Sequence, residues 1–416
     1  MLHPLGCNPV RAVNSEALQW ASLFFGTHHT MSTHDSRRGA ISLLALGLAF
    51  PGALLQGCDS APSTIKIGVA QPLTGGLAAL GQDLLNGVNL AVEELNREGV
   101  RVKGKAVRFE VIAVDDRANA DTGREVARQL VDAGVVAVIG HLNSGVSIAA
   151  APIYAEHNIA QMAISTNPKY TSLGLSTTFR LVANDTLQAK AIGSYSVTKF
   201  RSTKFAVIDD GTPYGKDLAA GAIQELTGAK KEIVIHASLD DKTRAFDELA
   251  GKLKAGGVEA IVTTLNDFQT VALLQALAKI SYTDVHLLGG DTIKTTDMLK
   301  GVGLGKGLYA TSPILEAKEF AAGGAFLEKY RAKYKIAPAY AGHYTYDAMY
   351  VLAAAIRRTE SAKPADIVQA LRKIDGYAPV TGSMKWDARG EQRYGVIGVY
   401  AATEKGWESQ VRSDTW

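Results

Sequence analysis

Four short stretches of the chain concentrate hydroxyl, amide and carboxyl side chains among glycines: Gly140-His141-Leu142-Asn143-Ser144-Gly145, Ser165-Thr166-Asn167-Pro168, Asp209-Asp210-Gly211-Thr212-Pro213-Tyr214-Gly215 and Gly289-Gly290-Asp291-Thr292. The first two supply neutral donors, which suit a carboxylate held at the start of a helix. The last two supply acid, and an unpaired Asp291 is the natural partner of an ammonium. Donors on one side and a carboxylate on the other make a box for a zwitterion. Plainer roles are open to each residue. Ser144 and Thr166 are placed to cap helices, Asp291 to cap the next helix or to pair with Lys294, His141 to be held by backbone, and Tyr214 only to pack.

Reacting groups are harder to find. Gly211 to Lys216 resembles a phosphate loop, but three residues separate Gly211 from Gly215, and Asp217 stands where Ser or Thr is required. The run Gly-Val-Gly-Leu-Gly-Lys-Gly from Gly301 lacks dinucleotide spacing and precedes a strand. No H-E-x-x-H, no G-x-S-x-G and no clustered His/Cys/Asp set occurs. The expectation is a protein that is not an enzyme and needs no metal or cofactor.

What must position the four stretches is an alternation of short β-branched runs with longer amphipathic ones, the pattern of helices around parallel sheets. Strands are predicted at Ile65 to Ala70, Val107 to Val114, Val135 to Ile139 and Ala160 to Ile164, with helices at Ala79 to Arg97, Ala120 to Ala133 and Val146 to His157. A second unit repeats the rhythm. Its strands are Lys204 to Ile208, Glu232 to His236, Ala260 to Thr263 and Val285 to Leu288, and its helices Tyr214 to Leu226, Phe246 to Lys254 and Phe268 to Lys279. A strand near Tyr309 to Ile314, helices at about 318 to 334, 340 to 358 and 364 to 374, and a strand at Val396 to Ala401 follow. The fold class is α/β, two doubly wound Rossmann-like lobes. All four polar stretches then fall at strand carboxyl ends, where open parallel sheets bind ligands.

With 416 residues the chain is long enough for two cores. Its 44 basic and 41 acidic residues are scattered, without a basic run interleaved with aromatics, so nucleic acid is not an expected partner. Cys7 and Cys58 both precede the globular part, which excludes a disulfide inside it.

From Met31, the pair Arg37 and Arg38 precedes an apolar stretch from Ala40 to Leu55, broken by Gly47, Pro51 and Gly52 and too short to span a bilayer comfortably. This reads as a signal peptide over 31 to 57. Leu55-Gln56-Gly57-Cys58 resembles the lipobox of bacterial lipoproteins, with Cys58 as the lipidated residue; a plain signal peptide cut near Cys58 is the alternative. The arginine pair fits either Sec or twin-arginine export. Residues 1 to 30 read as a misassigned or disordered extension, and 58 to 63 as a tether.

Ile65-Lys66-Ile67-Gly68-Val69, Pro72-Leu73-Thr74-Gly75 and Gly81 resemble the opening of type I periplasmic binding proteins of the leucine/isoleucine/valine-binding group. Val138-Ile139-Gly140-His141 with Ser144, Ile164 to Pro168, Asp209 with Tyr214-Gly215, and Tyr344-x-Tyr346-Asp347-Ala348 continue the likeness in order across residues 64 to 410. The resemblance implies a substrate-binding component of an ABC-type amino acid importer, extracytoplasmic, monomeric, and lipid-anchored beside an inner-membrane permease. A small, branched-chain aliphatic amino acid is the expected ligand. Ser144, Ser165 and Thr166 would hold its carboxylate, Asp291 its α-ammonium, and Tyr214 would close over it, with Asn143, Leu80 and Asn266 completing the set. An aliphatic Leu80 replaces the family's aromatic ring, the loop at 163 to 168 is shorter, and Ala118 and Asn143 stand where the family has a disulfide. Three hinge crossings near Asn184, Ser312 and Arg393 are implied, giving lobes of 64 to 184 with 314 to 392 and of 185 to 312 with 393 to 416. A sensor on the same fold, or a binder of an amide, urea or aromatic acid, is the rival expectation.

Overall fold

The computed structural model describes residues 63–301 and 307–415. The signal segment, Cys58 and the tether lie outside the described residues apart from Ser63, as does most of the glycine run after Gly301.

The chain opens with β1 (Thr64–Gln71), α1 (Ala78–Glu98), a small hairpin of β2 (Arg101–Val102) and β3 (Lys105–Ala106), β4 (Arg108–Asp115), α2 (Ala120–Asp132), β5 (Ala137–Gly140), α3 (Ser144–Glu156), β6 (Ala160–Ala163), α4 (Lys169–Ser172) and β7 (Thr178–Arg180). Its larger strands form a five-stranded parallel sheet in the order β4-β1-β5-β6-β7. Alternate side chains of β1 explain why it lies inside the sheet and not at an edge: Ile65, Ile67 and Val69 are buried with α1 on one face, and Ala70 meets Leu130 and Tyr154 on the other. Each fully buried aliphatic side chain of this kind contributes roughly 1.5 to 3 kcal/mol. Gly99, at φ 78°, ends α1 by donating its N–H to the Leu95 carbonyl.

After β7 the chain leaves this sheet through α5 (Asp185–Lys199), which packs on α6. There follow β8 (Lys204–Asp209), α6 (Pro213–Gly228), β9 (Glu232–Ser238), α7 (Asp247–Ala255), β10 (Ala260–Thr263), α8 (Asp267–Lys279), β11 (His286–Gly289), α9 (Thr296–Gly301) and β12 (Gly307–Ser312). It then returns to the first lobe as α10 (Gly323–Tyr334), α11 (Gly342–Thr359), α12 (Pro364–Lys373) and the hairpin β13 (Asp375–Ala378) with β14 (Gly382–Lys385), α11 packing along α1. A last passage leads to β15 (Gly398–Thr403) and β16 (Gly406–Arg412), which complete a seven-stranded sheet in the order β16-β15-β12-β11-β10-β8-β9. Only β15 runs against the others, pairing antiparallel with both β12 and β16. The architecture is therefore two doubly wound lobes joined by three passages of chain.

Several elements differ from the sequence expectation. β7, α5, the β13–β14 hairpin and β16 have no counterpart in the sequence expectation: β7 is three residues long, and α5 is buried on more than one side and carries no clean apolar stripe. α3 begins at Ser144, two residues before the predicted Val146. Among the described residues no helix is long and apolar enough to cross a membrane.

Candidate ligand-binding site

In each sheet one strand has its successor on one side and a later strand on the other, so the connections diverge and leave a crevice at the carboxyl ends. In the first sheet that point lies between β1 and β5, in the second between β8 and β10. The loops from these points face one another around a cavity of about 470 Å³, within the range of about 300 to 1,000 Å³ usual for small-molecule sites. Gly140 makes the first of them possible: a Cβ there would lie 2.2 Å from the Ala70 carbonyl oxygen.

The first lobe contributes the start of α3. Asn143, Ser144, Gly145 and Val146 all border the cavity, so the start of a helix, whose first N–H groups lack intrahelical acceptors, forms part of its wall. Ser144 is not the cap of this helix but its first residue, after Asn143, and its Oγ accepts from Asn167 N–H at 3.3 Å. Thr166 also borders the cavity and caps nothing, since Pro168 precedes α4. Leu80 lies on the wall, 7% exposed.

Ser165 departs from expectation. Its hydroxyl points into the first lobe, 3.2 Å from the carbonyl oxygens of both His141 and Leu142 and against the Ser147 hydroxyl, and the residue does not border the cavity. It ties the two polar loops together instead. His141 is structural, though held by side chains and not backbone: Nδ1 lies 2.7 Å from Asp116 Oδ2 and Nε2 3.2 Å from the Tyr154 hydroxyl, all buried.

Across the cleft, Asp291 is 3% exposed and surrounded by donors. The Tyr214 hydroxyl donates to Oδ1 at 3.0 Å, Gln188 Nε2 to Oδ1 at 3.1 Å, and the Tyr340 hydroxyl to Oδ2 at 2.6 Å. Burial, reinforced by the Asp291 charge, pushes both phenols well above their ordinary range and keeps them donors. Lys294 does not pair with Asp291; it lies 3.6 Å from Glu316. Asn266 precedes α8 and borders the cavity, with Nδ2 3.5 Å from Asp210 Oδ2. Asp210 is pushed up to about 6 by burial, against the pull of the Thr212 hydroxyl and N–H. Asp209 faces away, accepting from Ser238 Oγ at 2.6 Å.

The lobes touch at the rim. Asn167 Nδ2 donates to the Pro213 carbonyl and to Asp217 Oδ2, both at 2.8 Å. The Phe268 ring lies so close to Gly76 that a Cβ there would be 2.9 Å from Cε1, and the Arg244 guanidinium sits 3.8 Å above the same ring.

Gln188, Tyr340, Asp185 and Arg180 are the site residues the sequence did not disclose. Arg180, wholly buried at the end of β7, donates Nε to Glu391 at 2.9 Å and one Nη to the Asn167 carbonyl at 2.8 Å, its other Nη reaching the Ser165 carbonyl. Burial raises the Glu391 carboxyl, but Arg180 and the Thr171 hydroxyl outweigh it and hold the group low. An arginine followed by unrelated apolar residues carries no local signal of this role. Among the described residues no cluster of three metal-ligating side chains exists.

Two doubly wound lobes facing across a polar cleft, joined by three strands of chain, define the two-lobed solute-binding class. The chain belongs to the periplasmic binding protein family, whose model matches residues 64–405. It is 28% identical over 356 residues to the Leu/Ile/Val-binding protein homolog 1 of Brucella abortus, covering 84% of this chain and 91% of that one. The branched-chain amino acid transporter substrate binding protein LivJ of Streptococcus pneumoniae, solved with isoleucine, aligns with a TM-score of 0.74 at 26% identity over 84% of this chain and 98% of its own. A solute binding protein of an ABC transporter from Rhodopseudomonas palustris, solved with 3,4-dihydroxy benzoic acid, shares the fold at 19% identity and a TM-score of 0.73, over 84% and 97% of the two chains.

Proposed function

We propose that the protein is the extracytoplasmic substrate-binding component of an ABC-type importer and closes its lobes on a small aliphatic amino acid of the branched-chain class. The observation that carries this is Asp291, a buried carboxylate bordering the cavity and held by Tyr214, Tyr340 and Gln188, with the helix start at Asn143 and Ser144 and the Thr166 hydroxyl also lining it. Ser144, Thr166 and the α3 N–H groups take the ligand carboxylate, Asp291 takes the ammonium, Leu80 borders the side chain, and Tyr214 and Asn266 close the second-lobe wall. Ser165 serves by fixing the loop. The names of the Brucella and Streptococcus relatives support the ligand class.

In this reading the moving bodies are residues 64–184 with 314–392 and residues 185–312 with 393–416. The ligand binds the first, and contacts from the second hold the closed form, which docks on an inner-membrane permease. A signal peptide over 31–57 exports the chain as a monomer, and lipid on Cys58 tethers it through 58–63.

Thermal unfolding of the chain from residue 59 against the twenty amino acids, urea, short amides and benzoate tests this, because a ligand of the native state raises the midpoint. Leucine, isoleucine or valine should stabilise the protein, and Asp291→Ala should abolish the shift. The Rhodopseudomonas neighbour favours one rival, an aromatic acid; stabilisation by benzoate alone would establish it and remove Asp291 from the ligand.

A further inference from the structure

Behind the cavity wall, beside Asp291, lie buried side-chain oxygens without a hydrogen-bond partner, on residues of α5 that do not themselves border the cavity. Both carboxyl oxygens of Asp185 and Gln188 Oε1 are buried with no partner at hydrogen-bond distance, although the Thr166 hydroxyl lies near enough to Asp185 to favour its charge, and Asn143 Oδ1 is likewise unpartnered on the opposite wall. Buried acceptors are rarely left unpaired, since each costs roughly 1 to 3 kcal/mol and more when charged. A group rich in N–H donors is what such a set lacks.

Asp185 is the first residue of α5 and is 3% exposed. Its own N–H donates to the Thr166 carbonyl at 2.9 Å, which fixes it beside the loop that lines the cavity. Gln188 stands three residues on, the spacing that puts two side chains on one helical face, and its Nε2 is bonded to Asp291 at 3.1 Å. One face of α5 thus brings a second carboxyl group close enough to Asp291 for the two to feel each other's charge, behind the residues that border the cavity.

The charged and titratable groups around Asp185 oppose its ionisation on balance. Burial is the largest influence, followed by the Asp291 charge from the turn after β11; Asp217 from α6 adds to them. The Thr166 hydroxyl and Arg180 pull the other way, but Arg180 is already committed to Glu391 and two carbonyls. Tyr214 and Tyr340, on the same end of the cleft, are neutral phenols. The Asp185 carboxyl is accordingly pushed up to about 8.

We infer that Asp185 is a second, proton-exchanging carboxylate for the cationic head of the ligand: it keeps a proton in the ligand-free protein and releases it to solvent as the ammonium enters beside Asp291. The inference rests on the amino-acid reading above. The proton leaves the Asp185 carboxyl for water or buffer, the ammonium keeps its own three protons, and its positive charge beside Asp291 offsets the negative charge left on Asp185. Affinity must then rise with pH up to the point at which Asp185 is already ionised without ligand.

Titration calorimetry of L-leucine into the purified protein at pH 6.5, in buffers of different ionisation enthalpy, reads the proton directly. Close to one proton released per leucine is expected, with affinity rising up to about tenfold per pH unit. Asp185→Asn should bind more weakly, release none and lose the pH dependence. Should that variant not fold, carboxyl carbon NMR of the unsubstituted protein gives the same answer, with the Asp185 signal titrating near 8 and becoming ionised at pH 7 when leucine is added. Leucine bound without proton release, or Asp185 titrating in the ordinary carboxylate range, overturns the inference and leaves the amino-acid reading standing. Failure of every amino acid to bind overturns both.

Discussion

The Tyr340 hydroxyl donates to Asp291 Oδ2 at 2.6 Å although the two residues belong to different lobes. Tyr340 stands just before α11, which packs on α1 of the first lobe, and Asp291 follows β11 of the second. The bond does two things at once: it spans the cleft, and it fixes the carboxylate expected to meet the ligand.

Tyr340→Phe should therefore weaken leucine binding without unfolding the protein. A hydrogen bond to a charged group contributes about 1.5 to 3 kcal/mol, and 1.4 kcal/mol is tenfold in affinity, so a loss of about tenfold or more is expected by calorimetry. An unchanged Kd would show that Tyr340 only packs.

Asn167 offers a rim contact of a different kind. Its amide bridges to the Pro213 carbonyl and to Asp217, each at 2.8 Å, without touching Asp291. Asn167→Ala removes both bonds from the closed form only. Stopped-flow measurement should show leucine leaving about tenfold faster with little change in the association rate, because changes at one interface act mostly on dissociation.

The sequence disclosed the architecture because buried parallel strands write themselves as apolar runs, as in Ile65 to Ala70 and Val135 to Ile139. It disclosed the loops for the same reason, since strand ends locate them. It did not disclose which way a side chain turns: Ser165 and Thr166 are neighbours, yet one faces the first lobe and the other the cavity. Nor did it disclose partners distant along the chain. Tyr340 is 49 residues from Asp291, and Glu391 is 211 from Arg180, and only the three passages between the lobes bring them together.

That second pair underlies a stability prediction. Arg180 is wholly buried, and its guanidinium joins Glu391 to the carbonyls of the loop carrying Thr166. Glu391→Ala strands the guanidinium, and breaking a buried pair from one side costs about 3 to 5 kcal/mol. Urea unfolding should show a loss of that order, and leucine affinity should fall as well, because the loop loses its anchor. The double variant Arg180→Met with Glu391→Leu should recover much of the stability but not the affinity. Equal recovery of both would assign the pair to packing alone.

The buried acids set a pH dependence whose sign is fixed by the direction of their shifts. Asp185 is raised to about 8, and Asp210 and Asp347 to about 6, each by burial above an ordinary value of 3.8. Asp347 accepts from Val380 N–H at 2.9 Å and Thr381 N–H at 2.7 Å, but these bonds do not offset its desolvation. A carboxyl with a raised folded-state pKa binds its proton more tightly in the native than in the unfolded chain. Its contribution to stability is full below the unfolded value and disappears as pH rises through the folded one. Denaturant unfolding of the ligand-free protein should thus show stability falling from about pH 4 to pH 8, in a steeper limb up to about pH 6 to which all three acids contribute and a shallower one above it from Asp185 alone. Asp347→Asn should flatten the lower limb only, whereas Asp185→Asn should flatten both and abolish the upper. Saturating leucine should suppress the limb above pH 6 in the unsubstituted protein, since the ammonium then neutralises the carboxylate that would otherwise be buried alone. A profile that is flat between pH 6 and 8 without ligand would show that Asp185 is already ionised there.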